Sequence, residues 1–157
     1  MTVTTQENPL LEGLQLRRTP DPCIFVIFGA SGDLTQRKLI PALYSLAYRR
    51  LLPENFAVVG AARTEETDDG FRERMEEAVK QHARDPFRED VWGPLAEGMH
   101  YISTDFGDDA FDSRLRERVA KIDEERGTEG NRIYYFAVPP DAIATLVHEV
   151  GQRRSTE

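Results

Sequence analysis

Four short apolar runs punctuate an otherwise charged chain: Cys23–Phe28, Phe56–Ala61, Met99–Thr104 and Ile133–Val138. Each has the length of a β-strand. None alternates cleanly between polar and apolar positions, the pattern of strands covered on both faces in a parallel sheet. The stretches between them repeat apolar residues at helical spacing. Asp33–Leu51 carries Leu34, Leu39, Ala42, Leu43, Leu46 and Ala47, and Pro41 predicts a kink or restart near Ile40. Thr67–Arg84 has a thin stripe of Phe71, Met75, Ala78 and Val79. Asp109–Arg126 places Phe111, Leu115, Val119 and Ile122 on one face, with Gly127 as its stop. Pro140–Val150 opens with proline in its first turn and carries Ile143, Leu146, Val147 and Val150 on one side. Asp85–Gly98, with Trp92, reads as a short helix or an ordered loop.

Strand–helix alternation of this kind requires right-handed crossovers, so the expected fold class is α/β: a doubly wound, Rossmann-type parallel sheet. It is expected to be truncated after about four strands, with Ile133–Val138 as an open and aggregation-prone edge. Residues 1–22 have scattered leucines among Thr, Gln, Glu, Asn and Pro and read as a flexible arm, leaving 23–157 as a partial nucleotide-binding domain.

Composition narrows the partners. The 157 residues carry a net charge of −8, which offers no general basic field for nucleic acid or a membrane surface. The single Cys23 cannot form an intrachain disulfide, and the first 22 residues lack the signature of a signal peptide. A cytoplasmic setting is expected. His82, His100 and His148 show no metal-ligand spacing, so no metal site is expected and all three read as structural. The Tyr134-Tyr135-Phe136 run reads as core.

In a doubly wound sheet, ligands bind beyond the carboxyl ends of the strands. Four loops follow: Gly29–Gly32, Arg63-Thr64, Asp105-Phe106 and Pro139-Pro140. The first, Gly29-Ala30-Ser31-Gly32-Asp33-Leu34, departs from Gly-x-Gly-x-x-Gly at Ser31 and Leu34. It still follows a buried-type strand and opens a helix, the layout of a phosphate loop. Asp33 reads better as an N-cap than as an anion's neighbour. After the second strand, where a ribose-binding acid would favour NAD, Val58-Val-Gly-Ala-Ala-Arg63 presents a guanidinium suited to a 2′-phosphate. One charge-assisted contact of that kind favours NADP by about 10- to 150-fold. Glu65-Glu66 nearby could compete for Arg63. Lys38 is either a surface charge or a residue facing cofactor or substrate from the cleft.

These residues resemble the glucose-6-phosphate dehydrogenase family. The resemblance rests on Phe28-Gly-Ala-Ser-Gly-Asp-Leu-Thr-Gln-Arg-Lys-Leu-Ile-Pro-Ala-Leu-Tyr44. Leu52-Pro-Glu-Asn55, Gly60-Ala-Ala-Arg63 and Asn131-Arg-Ile-Tyr-Tyr-Phe-Ala-Val-Pro-Pro140 add to it. It implies NADP as cofactor, glucose 6-phosphate as substrate, 6-phosphogluconolactone as product, a place in the pentose phosphate route and a homo-oligomeric full-length enzyme. It further implies that Gly29, Ala30, Ser31, Gly32, Asp33, Leu34, Thr35 and Gln36 line the pyrophosphate and adenosine ribose, and that Arg63 meets the 2′-phosphate. Asp105 and Phe106 would border the adenosine, Pro139 would lie on the cofactor side, and Lys38 near nicotinamide and substrate.

The family's Glu-Lys-Pro strand end, its Arg-Ile-Asp-His-Tyr motif and its general-base histidine are missing from these 157 residues. The expectation is that 1–157 alone is catalytically inactive, with no catalytic residue of its own. The alternative is a non-catalytic NADP-binding module that pairs with a separate catalytic chain. A short-chain dehydrogenase is disfavoured because no tyrosine is followed four residues later by lysine.

Overall fold

The structure, a computed structural model, describes residues 19–106 and 108–154; most of the expected arm and the last three residues lie outside them. Strands β1 (Cys23–Phe28), β2 (Phe56–Ala62), β3 (Met99–Ser103) and β4 (Arg132–Phe136) form one sheet in the order β3-β2-β1-β4. Every pairing is parallel. The chain builds outward from β1 through β2 to β3, then crosses back so that β4 lies on the other side of β1. That reversal makes the β1/β4 boundary the topological switch point of a doubly wound fold.

Alternate residues of β1 supply two cores because successive strand side chains point to opposite faces. Cys23 and Ile27 face α1 (Ile40–Tyr48), α2 (Asp68–His82) and α3 (Glu89–Glu97), packing with Leu43, Tyr44, Phe71, Met75 and Trp92. Ile24, Val26 and Phe28 face α4 (Asp109–Arg126) and α5 (Pro140–Arg154), packing with Phe111, Leu115, Ile122 and Leu146. Each fully buried Phe or Leu of this kind contributes about 1.5–3 kcal/mol relative to exposure.

Local chemistry sets the helix ends. The Thr67 hydroxyl accepts from the Gly70 N–H at 3.0 Å to start α2, and the Asp108 carboxylate accepts from the Ala110 N–H at 3.0 Å to start α4. Gly127 ends α4 in the left-handed region at φ 65° and donates to the Asp123 carbonyl. Pro140 opens α5 as its position predicts.

The restart that Pro41 predicts near Ile40 is present: α1 begins at Ile40, and ahead of it the chain widens into a π-turn, Thr35–Leu39, where the Ile40 N–H reaches back five residues to the Thr35 carbonyl. Proline lacks an N–H and its ring crowds the carbonyl four residues earlier, and the wider turn accommodates both. Of the two readings of Asp85–Gly98, the short helix holds: Glu89–Glu97 form the nine-residue α3, with Trp92 buried.

One expectation is corrected, the full cover of β4: Ile133 is 46% exposed and no residue of the strand is fully buried. In α5, Leu146 is fully buried while Ile143 and Val147 face solvent, because β4 has no further strand beyond it among the described residues.

Candidate dinucleotide site

Parallel register brings the four predicted loops to one rim. Phe28 pairs with both Ala61 and Phe136, and Ala62 pairs with Ser103, so all four strands stop at nearly the same height. Gly29–Gly32, Arg63-Thr64, Asp105-Phe106 and Pro139-Pro140 leave the sheet side by side, with the first and last flanking the switch point. This is the ligand edge of an open α/β sheet.

The first loop is built for close approach. Gly29 adopts φ 89°, a conformation that side chains disfavour, and its N–H donates to the Ala61 carbonyl at 2.8 Å. A Cβ there would lie 2.0 Å from the Ala137 carbonyl oxygen, so only glycine lets β1 turn while touching the exit of β4. The Gly32 N–H donates back to the Gly29 carbonyl at 3.0 Å, closing the turn. Ala30 is fully buried, and Gly60 on β2 makes room for it: a Cβ on Gly60 would meet the Ala30 methyl at 2.8 Å and Phe71 at 2.9 Å.

Ser31 and Gln36 are half-buried; Asp33 and Leu34 are exposed. Asp33 is not an N-cap. Its carboxylate instead accepts from Arg37 Nε at 2.8 Å, one turn on, and Leu34 supplies no side-chain cap. Among the described residues no side chain caps the turn at Leu34, and a helix start left in that condition attracts an anion. The Thr35 side chain is fully buried, and its hydroxyl reaches the Gly29 carbonyl at 3.4 Å, bracing the turn from beneath.

This chain matches the family described as "Glucose-6-phosphate dehydrogenase, NAD binding domain" over residues 26–157. It belongs to that family. A curated relative from Mycobacterium bovis, "Glucose-6-phosphate 1-dehydrogenase 2", is 41% identical over 152 residues, covering 94% of this chain and 30% of the relative. The Chlamydia pneumoniae glucose-6-phosphate 1-dehydrogenase is 36% identical, covering 98% of this chain and 30% of its own length. Among solved structures, the Mycobacterium avium glucose-6-phosphate 1-dehydrogenase superposes with a TM-score of 0.71 at 29% identity, over 85% of this chain and 27% of that one. The chain thus spans about a third of the relatives it matches. The matched portion is the one that the family's description calls the NAD binding domain.

The remaining site residues divide between the rim and elsewhere. Arg63 is exposed at the end of β2, and no described residue forms an ion pair with it. Glu66 does not compete: its carboxylate accepts two hydrogen bonds from Arg74, at 3.0 and 2.7 Å. Asp105 is exposed, whereas Phe106 is half-buried and packs edge-on against Phe28 and Phe111 at centroid distances of 5.9 and 5.7 Å. Pro139 is exposed, and its carbonyl accepts from the Ala142 N–H at 3.1 Å, starting α5 beside Gly29.

Lys38 keeps different company. It lines a groove of about 450 Å³ along α1, with Arg37, Arg49, His82 and Arg84.

His82 borders that same groove, and His100 is tied to Asp68 and Arg118 at the outer edge of β3. The Tyr134 and Phe136 rings stack on Phe28 at 6.1 and 5.4 Å, and Tyr135 on the opposite face packs against Phe25 at 6.1 Å, so the run is half-buried on both sides of the sheet. Sequence reading missed Tyr101, whose phenol donates to the Thr64 carbonyl at 2.6 Å within the Arg63 loop. Nothing in an apolar strand marks one tyrosine as the partner of a loop carbonyl 37 residues earlier.

Proposed function

We propose that this chain is the coenzyme-binding part of an NADP-dependent glucose-6-phosphate dehydrogenase, with 23–157 as the coenzyme unit and 1–22 as a separate arm. The reaction passes a hydride from C1 of glucose 6-phosphate to the nicotinamide, giving NADPH and 6-phosphogluconolactone; the C1 hydroxyl proton passes to a base. The observation that carries the reading is the alignment of the four loops along one rim, with Gly29 against Ala137 at the switch point, in a chain of this family.

In this reading the backbone of Gly29–Gln36 receives the pyrophosphate at the uncapped helix start, Thr35 acting through the turn it braces. Arg63 receives the 2′-phosphate, Asp105 and Phe106 border the adenosine, and Pro139 closes the cofactor side. Lys38 serves the substrate side from the α1 groove. These 157 residues alone are expected to be catalytically inactive, since they lack the family's Arg-Ile-Asp-His-Tyr motif and its general-base histidine.

NADP and NAD titrations of the protein and of Arg63→Ala test this. The parent protein should bind NADP about 10- to 150-fold more tightly than NAD, and Arg63→Ala should abolish that preference while leaving NAD affinity within twofold. Equal loss of both cofactors, or an unchanged preference, contradicts the assignment.

A further inference from the structure

We infer that Tyr101 is a specificity-determining positioning residue, stapling the loop that carries Arg63 so that the guanidinium is held ready for a 2′-phosphate. The inference rests on the reading of Arg63 given above and extends it to a residue that touches no cofactor.

The loop from Arg63 to Thr67 has little burial of its own: Arg63, Thr64, Glu65 and Thr67 are all exposed. An unfastened loop of that kind samples many conformations, and a ligand that needs one of them must bear the ordering cost. Here it is fastened, and Tyr101 holds it at two points. The phenol donates to the Thr64 carbonyl at 2.6 Å, and the Tyr101 N–H donates to Asp68 Oδ1 at 2.8 Å. One residue of β3 therefore grips the chain on both sides of the Glu65–Thr67 segment.

The second grip depends on β3 being an edge strand. The Gly98 carbonyl and the Thr104 N–H bond to β2, so in a parallel ladder the odd residues between them turn their backbone groups outward. The Tyr101 N–H is thereby free for Asp68.

The staple is itself rigid. Tyr101 is 5% exposed, and its ring packs against Phe71 at a centroid distance of 5.2 Å. Burial pushes its phenol above the ordinary value of 10.0, with the Glu66 carboxylate acting in the same direction and Arg74 against it, so the hydroxyl remains a donor at neutral pH. Arg74 completes the arrangement by occupying Glu66, the acid that would otherwise neutralise Arg63.

The test is a double-mutant cycle on the full chain, reading the ratio of NAD to NADP dissociation constants by calorimetry for the parent, Tyr101→Phe, Arg63→Ala and the double variant. Tyr101→Phe keeps the ring in the core and removes only the donor to Thr64. It should lower the ratio about three- to tenfold with NAD affinity unchanged within twofold, and should have no further effect once Arg63 is gone. Amide exchange at Thr64–Glu66 should accelerate in Tyr101→Phe without cofactor.

A parent protein with no preference for NADP overturns the Arg63 reading and this inference with it. A parent that prefers NADP and a Tyr101→Phe variant that keeps the full ratio overturn the inference alone. Parallel loss of NAD and NADP affinity in Tyr101→Phe shows a structural role only and also overturns it.

Discussion

Gly29 approaches Ala137 so closely that the smallest side chain at Gly29 would overlap the Ala137 carbonyl oxygen, at 2.0 Å. The contact joins the turn after β1 to the exit of β4 across the switch point, where the Ala137 N–H also donates to the Phe28 carbonyl at 2.8 Å. Gly29→Ala must open that junction and also hold alanine at a positive φ. Together these should cost about 3 kcal/mol or more, lowering the melting temperature by roughly 10 °C, and should remove any cofactor-induced stabilisation. A melt of the variant with and without NADP measures both effects.

Tyr44 is fully buried between α1 and α3, and its hydroxyl does two jobs. It donates to the Pro86 carbonyl at 2.6 Å and accepts from the Arg88 N–H at 2.8 Å, pinning the connection before α3. Tyr44→Phe leaves two part-buried backbone groups without that partner. The expected loss is about 1–3 kcal/mol, read as a lower denaturation midpoint with an unchanged denaturant slope.

His100 makes stability depend on pH. Burial lowers its pKa from the ordinary 6.5; Asp68 opposes the shift, while Arg118 and Arg72 reinforce it. The folded form therefore prefers neutral imidazole. Above the unfolded value the full contribution is present, and it is lost as pH falls from about 6.5 through the lower folded value. The protein should melt at lower temperature at pH 5 than at pH 7.5, and His100→Gln should flatten that dependence over this window. An equally steep profile in the variant would remove His100 as the cause.

Ile133, Ile143 and Val147 leave apolar surface beside the unpaired side of β4. Exposed strand edges of this type invite pairing between chains. Ile133→Lys should raise the protein concentration at which light scattering first detects association, with little change in melting temperature. An unchanged onset would show that this edge does not drive association.

Periodicity and punctuation made much of the fold legible. The apolar runs located all four strands to within a few residues, and Gly127 and Pro140 marked helix ends by requirements intrinsic to those residues. The rim loops followed from the parallel sheet, since strand ends must share one edge. What stayed hidden depended on partners distant in the chain. Asp33 has the right residue type for a cap, yet Arg37 one turn on wins its carboxylate. Arg63 reads as compromised by Glu66 until Arg74, eight residues beyond that acid, is seen to hold it. The uneven cover of β4 and α5 is equally invisible, because an apolar pattern states what could be buried and not whether anything lies opposite.

The most direct test of the central claim is a thermal melt of the purified chain alone, with NADP, and with NAD at equal concentration. A ligand that binds only the native state raises its melting temperature, and at equal concentration the tighter ligand raises it further. The account predicts a cooperative transition, raised clearly by NADP and far less by NAD, with no dehydrogenase activity from 1–157 on glucose 6-phosphate. A transition that neither cofactor moves, or that both move equally, would contradict it.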